Sequence, residues 1–457
     1  MTRPGRHTRG TIPGLYACHR SRIARMLALA CALISYLGLA PASAGSLLLT
    51  NARIVDPARR IELSGHVLIQ DARVVDVIQG TPARFDGEVV DLAGKYLIPG
   101  LVDAHVHSGG NRAPVGAPDE QFGIEETARR MLLAGVTAYL DLGSNPDSIF
   151  PVRAKLRDQE IVSADIYAAG PVFVSLGRGR SHPGAIVVTT PAEARQELDR
   201  LAQRHPDVIK IIFDWAGGRR TMSTDVMRAI VEHSRELGLK TVVHIGTWEN
   251  AHLAAEVGPT AITHLDDVAD VPESLARAMA AKHIFSIPTM TVQQDFLNIL
   301  EDHGILDNPL LQMLASDTLL ESYRGLDPKE YADCPTCRWQ REGRNHYGVS
   351  LQRLIQAGVP IVAGSDTGNL GTFQGFSLHR ELILLHRWGL SNWDALAAAT
   401  SRAYELLGLD MGFASGADAT FLVLDASPIQ DIANTQRIDR MLFHGRWVNR
   451  AALGVPR

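Results

Sequence analysis

The chain has 457 residues, 46% apolar and 21% charged, with 6% aromatic residues and 40 glycines. That composition excludes disordered, collagen-like and coiled-coil chains and leaves one to three globular domains. With 45 Lys and Arg against 50 Asp and Glu the net charge is −5, so there is no basic excess for nucleic acid.

Residues 1–44 read as a leader. Arg20, Arg22 and Arg25 precede the apolar run Met26 to Leu39, and Ala42-Ser43-Ala44 stands before Gly45. A basic start, a short apolar centre and small residues before a cut describe a secretory signal peptide. The run falls short of the about 20 residues of a membrane span, and a single N-terminal anchor is the alternative. The leader holds six Arg and no acid, so the remainder carries 39 basic and 50 acidic side chains, a net charge of −11. The expectation is an exported protein, periplasmic or secreted, with no stable membrane insertion after signal cleavage. Beyond the leader the only cysteines are Cys334 and Cys337. In an oxidising compartment they read as a small local disulfide. Tyr331-Ala332-Asp333 before them gives none of the strand signal that a redox motif needs.

Residues 46–98 read as short strands: Leu47 to Leu49, Ala52 to Val55, His66 to Ile69, Val74 to Val77 and Val89 to Asp91, each bounded by Gly, Pro, Asp or Asn. The pattern returns in Ala419 to Leu424 and Arg440 to Phe443. Two β-rich flanks predict one small β-sandwich-like domain built from 46–98 and 412–450. Between them, residues 99–411 repeat a unit of helix, Gly and apolar run. Gly135, Gly238, Gly258 and Gly358 each mark a left-handed helix cap, followed by a strand apolar on both faces. Adding Leu101 to Ala104, Ile166 to Ala169, Val208 to Ile212 and Ile284 to Ile287 makes eight strands alternating with helices. The fold class is therefore α/β, with the count of a (β/α)8 TIM barrel.

Chemistry-bearing residues recur where those strands end. Strand one delivers His105 and His107, strand four Lys210, strand five His244, strand six His264 and strand eight Asp366. In a βα barrel these ends converge on one face, where active sites lie. His105 and His107 are two apart on an extended segment, so both rings point the same way and can share a metal. Four imidazoles and a carboxylate are a ligand set for zinc or a neighbouring first-row metal. A lone strand His is usually a hydrogen-bonded core residue; six candidates at five strand ends are not independent accidents.

These residues resemble the amidohydrolase superfamily, in its binuclear prolidase-like and imidazolonepropionase-related branch. The resemblance rests on Pro99 to His107, Ala134 to Thr137, Val208 to Ile211, Val243-His244, Thr263-His264, Gly364 to Thr367, Ala395 to Thr400, Leu407 to Leu409 and Ala417 to Asp425. It implies a metal-dependent hydrolase with two divalent ions, zinc by donor type. His105 and His107 would hold the more buried ion with Asp366, and His244 and His264 the more exposed one. Lys210 would bridge them as a carbamate formed with carbon dioxide (N6-carboxylysine). A metal-bridging hydroxide would attack, and Asp366 would pass its proton to the leaving amine. Without the carbamate, a mononuclear site of His105, His107, His244 and Asp366 survives. The implied reaction is cleavage of an amide bond in a peptide or N-acyl amino acid. The alternatives are opening of a cyclic amide or lactone at the same site, and an inactive metal-binding barrel, against which Asp366 argues.

For the small-molecule substrate, His182 in Gly179 to Gly184 matches a loop position that contacts substrate in similar proteins. Arg180, and Arg178 beside it, could hold a carboxylate, although solvated surface charges fit equally. His244 is followed by Ile245-Gly246-Thr247-Trp248, without the Tyr of many prolidase-like proteins, which puts dipeptide specificity in doubt. The insert from Phe296 to Tyr347 reads either as a lid or specificity element or as peripheral helical decoration. Phe213 and Trp215 could line the pocket or simply pack. His379 and His386 read as structural or exposed. A homo-oligomer stays open, since the sequence is silent on oligomeric state.

Overall fold

The computed structural model describes residues 45–454, apart from 83, 159–161, 176–183, 217–218, 221, 267 and 332–333 and the side chains of 215–216 and 219–220. The leader and its cut before Gly45 lie outside the described residues. So do Arg178, Arg180 and His182. Among the described residues no helix is long and apolar enough to cross a membrane.

The N-terminal flank forms β1 (Leu47–Asp56), β2 (Ile61–Gln70), β3 (Arg73–Ile78), β4 (Glu88–Asp91) and β5 (Tyr96–Pro99). One residue later the chain enters the barrel strands. These are β6 (Leu101–Val106), β7 (Val136–Asp141), β8 (Asp165–Ala168), β9 (Val172–Val174), β10 (Val208–Ile212), β11 (Lys240–His244), β12 (Ala261–Thr263) and β13 (Phe285–Ile287). The C-terminal flank returns as β14 (Phe421–Leu424), β15 (Ile438–Phe443) and β16 (Arg446–Trp447).

The two flanks join in one mixed sheet in the order β16-β15-β14-β5-β1-β2-β3, with β4 beside β1. Strand β5 is the seam. It pairs parallel with β1 and antiparallel with β14, Pro99 opposite Phe421 and Tyr96 opposite Leu424. Leu49, Ile54, Val67, Leu97, Phe421 and Val423 fill the core of this sheet. The expectation of one β-rich unit drawn from both flanks is met by this pairing across more than 300 residues.

The barrel strands pair in parallel, β6 with β7, β7 with β8, and then β9 through β13 in sequence. The third strand is split at Gly170, so β8 faces the second strand and β9 the fourth. The eighth differs from expectation: Pro360 to Thr367 is extended but not a regular strand. It closes the ring through Val362 N–H to Ser286 O (2.9 Å) on one side and Ala104 N–H to Ala363 O (3.0 Å) and Asp366 N–H to His105 O (2.8 Å) on the other. The physical reason is crowding. A Cβ at Gly364 would lie 2.5 Å from the Ile287 side chain and 2.8 Å from that of His105, and Asp366 is turned to φ +55°. All eight positions still feed one buried interior, with Val102, Ala138, Ala169, Val208, Val242, Ala261, Ile287 and Val362.

Helices α1 (Ile124–Leu133), α2 (Pro146–Arg157), α3 (Pro191–Ala202), α4 (Thr224–Glu236), α5 (Trp248–Val257) and α6 (Glu273–Ala281) connect the strands. Gly258 (φ +80°) ends α5 as a left-handed cap, as its place before an apolar strand predicts. Between β13 and the eighth segment, a stretch that includes the insert, the described residues form five α-helices: α7 (Met290–Glu301), α8 (Pro309–Leu314), α9 (Asp317–Arg324), α10 (Pro335–Gly343) and α11 (Tyr347–Ala357). After it come α12 (Phe376–Arg387), α13 (Asn392–Ala398) and α14 (Ser401–Leu407).

Candidate metal centre

Strand parity brings the first groups inward. Val208 and Lys210, like Val242 and His244, are two apart on strands whose lower members fill the interior, so the upper ones point into the mouth above it. Six predicted residues meet there: His105, His107, Lys210, His244, His264 and Asp366. Asp366 Oδ1 lies 3.1 Å from His107 Nε2 and 3.4 Å from His105 Nε2. Lys210 Nζ is 3.5 Å from His105 Nε2. The rings of His105 and His264 are 5.2 Å apart, and those of His264 and His244 4.4 Å.

The electrostatics follow from burial. Burial pushes the Lys210 ammonium down to about 7, with Asp366 opposing. It also holds His105 and His264 well below the usual imidazole range, so both present lone pairs. For Asp366 burial acts upward, but the interaction with neighbouring His105 and the His107 hydrogen bond outweigh it and hold the carboxyl well below its usual range. One ligating atom each from His105, His264 and Asp366 lies within 4.8 Å of the others. Two neutral imidazoles and a carboxylate that close, with one amine at 3.5 Å as neighbouring donor, are a donor set that fits a divalent metal. His107 lies beside His105, with ring centroids 5.3 Å apart, and His244 beside His264, at 4.4 Å.

Several supporting residues escaped sequence reasoning. Asp103, fully buried in β6, accepts from His105 N–H (3.1 Å) and from Ser365 N–H (2.9 Å). Thr263 Oγ1 sits 3.2 Å from His105 Nδ1. The Thr289 hydroxyl donates to Pro288 O (2.7 Å), so at 2.7 Å from His264 Nδ1 it is left to accept from that ring. That assigns the His264 lone pair to Nε2. Thr289 itself is held at φ +53°, at the start of α7, where buried Glu381 of α12 accepts from Met290 N–H (3.0 Å) and Thr291 N–H (2.8 Å). Asn369 Nδ2 donates to Asp366 Oδ1 (3.0 Å). The one available signal was the charge of Asp103 inside a strand that is apolar apart from His105. Nothing local marks Thr289 or Asn369.

A cavity of ≈ 530 Å³ opens over the centre, within the range of small-molecule sites. His244, His264 and Asp366 form its floor with Asp214, whose Oδ2 is 3.6 Å from His244 Nε2. Its walls include Gln293 of α7 and Thr336 and Trp339 of α10, so part of the insert is a wall of the site and not peripheral decoration. Cys334 and Cys337 are bonded at the start of α10. Phe213 is fully buried. His379 is buried and bonded to Thr435 and Ala134, and His386 to Leu390 O, which fits their structural reading.

A family model described as the amidohydrolase family matches residues 96–448. An uncharacterized protein of Mycobacterium tuberculosis is 24% identical over 390 residues, covering 83% of this chain and 90% of that one. A dihydroorotase of Syntrophotalea carbinolica is 27% identical over 242 residues, with only 51% of this chain and 52% of that one covered. Among solved structures, a Xaa-Pro dipeptidase with bound methionine superposes with a TM-score of 0.71 at 17% identity, over 88% of this chain and all of that one. A prolidase complexed with N-methylphosphonate-L-proline gives 0.69 at 23% identity, over 88% and 99%. Both share the fold of this chain.

Proposed function

The chain belongs to the amidohydrolase family, and from its site we propose an exported hydrolase with two divalent metal ions that cleaves a peptide or N-acyl amino acid amide. The observation that carries this reading is the convergence of four histidines, one lysine and one aspartate at the mouth of the barrel, under a cavity of ≈ 530 Å³.

His105, His107 and Asp366 would hold one ion and His244 and His264 the other, with Lys210 between them; zinc suits these donors. Bound there, the ions would supply Lewis acidity to a water molecule and to the scissile carbonyl. The chain's own groups do the rest. Asp366 is ionised and oriented by Asn369, so it can take a proton from the attacking water and return it to the leaving nitrogen. His105 and His264 stay neutral and keep their lone pairs. Burial leaves Lys210 partly as the free amine at neutral pH, the form that adds to carbon dioxide with loss of a proton to give a carbamate.

A second reading keeps the site and opens a cyclic amide. The match to dihydroorotases over about half their length favours it. The deciding experiment incubates the protein with zinc and bicarbonate and offers dipeptides, N-acyl amino acids, lactones and cyclic amides, read by mass spectrometry. Amide cleavage that is lost in Lys210→Ala together with metal supports the proposal. Ring opening without amide cleavage replaces it with the second reading. Full activity in Lys210→Ala removes the carbamate.

A further inference from the structure

We infer that Trp339 and Gln293 form a subsite for an aminoacyl group, selecting amides in which a bulky apolar side chain stands beside an N–H or ammonium donor. The inference deepens the amide reading above and rests on it.

The wall that carries Trp339 is fixed in place. Helix α10 starts at the Cys334–Cys337 disulfide, with Cys334 Sγ accepting from Cys337 N–H (3.0 Å). Fully buried Gln340 then straps it to α7, accepting from Leu297 N–H (2.8 Å) and donating to Val292 O (2.9 Å). Arg344 adds bonds to Gln294 Oε1 (3.0 Å) and Asn298 Oδ1 (2.8 Å). Thr336 and Trp339 are three apart on this helix, so they share the face that lines the cavity. An indole on such a wall offers apolar area, and its π face attracts an ammonium group.

Gln293 supplies the polar half. Its Nε2 donates to Leu265 O (2.9 Å), which sets the amide's orientation. Its Oε1 is left buried without a hydrogen-bond partner, although the residue is only 2% exposed and lines the cavity. Such an acceptor is costly to leave unmet, and a ligand N–H would satisfy it. The charge around it agrees. No described lining residue is Lys or Arg, so the cavity offers no side-chain cation to hold a carboxylate at this wall.

The test uses the full chain loaded with zinc and three substrates sharing a glycine leaving group: L-phenylalanyl, glycyl and 3-phenylpropionyl. The expected result is a kcat/KM at least tenfold higher for L-phenylalanyl than for either other substrate. Trp339→Ala should lose that preference through a raised KM for the L-phenylalanyl substrate. Gln293→Leu should erase the difference between L-phenylalanyl and 3-phenylpropionyl. A calorimetric titration with L-phenylalaninol, which has no scissile amide, should weaken at least tenfold in Trp339→Ala. Trp339→Phe, which keeps a ring, serves if the alanine variant does not fold. Equal rates for the three substrates, or an unchanged preference without the indole, overturn the subsite and leave the amide reading standing. Binding of L-phenylalaninol that needs Trp339, with no amide cleaved, supports the subsite and overturns the amide reading.

Discussion

Asp103 and Ser365, 262 residues apart, are joined twice: the carboxylate accepts from the Ser365 backbone N–H at 2.9 Å and from its hydroxyl. The same carboxylate accepts from His105 N–H at 3.1 Å. One buried group therefore ties the first barrel strand to the eighth segment, beside His105 and Asp366. Asp103→Ala would leave three buried donors unmet, each costing about 1–3 kcal/mol. Denaturant unfolding should show a loss of at least about 3 kcal/mol, and metal analysis a lower zinc content. Asp103→Asn keeps an acceptor for the two N–H groups and should lose less of both.

Thr289 governs His264 without belonging to the cluster itself. Its hydroxyl accepts from Nδ1, which fixes the tautomer. Thr289→Val removes that acceptor at nearly constant volume. A fall of about 10–100-fold in metal affinity or activity is expected, the usual scale for such partners. A competitive zinc titration checks it, and Thr289→Ser should restore most of the loss.

The β sheet is fastened to the barrel by a different histidine. His444 of the C-terminal flank lies 2.9 Å from Asp418 and 3.1 Å from Asp165 at the start of β8. Burial acts to lower its pKa, and the two carboxylates override it and raise it to about 10. A raised folded pKa means that the stabilisation is complete below the unfolded value of 6.5 and is lost as pH rises through about 10. Unfolding free energy should therefore decline between those pH values, and His444→Gln should flatten the decline. A slope unchanged in the variant would exclude this origin.

The disulfide should matter more to binding than to stability. It closes a loop of only three residues' separation, while Gln340 and Arg344 hold the rest of α10 independently. Reduction, or Cys334→Ser with Cys337→Ser, should shift Tm by no more than about 3 °C, the scale for a change below about 2 kcal/mol in a chain of this size. The KM for a bulky aminoacyl amide should rise at the same time, because Thr336 lies inside the loop. A large Tm loss with unchanged KM would reverse that assignment.

Seven barrel strands and the two β flanks were legible because each is a local apolar run, some following a glycine of positive φ, as at Gly135 and Gly258, and the others bounded by turn residues. The six groups at the mouth were legible for a related reason. Parallel strands with helical returns bring all their C-terminal ends to one face, so position within a strand already implies position in space. The irregular eighth segment was not legible, since its bend answers the bulk of His105 and Ile287 arriving from elsewhere. Nor were Asp103 with Ser365, Thr289 with His264, or Trp339 over the cavity. Hydrogen bonds and cavity walls depend on distances between residues far apart in the chain, and no periodicity records those. By itself the sequence determined the alternation of strands and helices and the donors at the strand ends; only tertiary packing decided which groups orient those donors and which wall faces them.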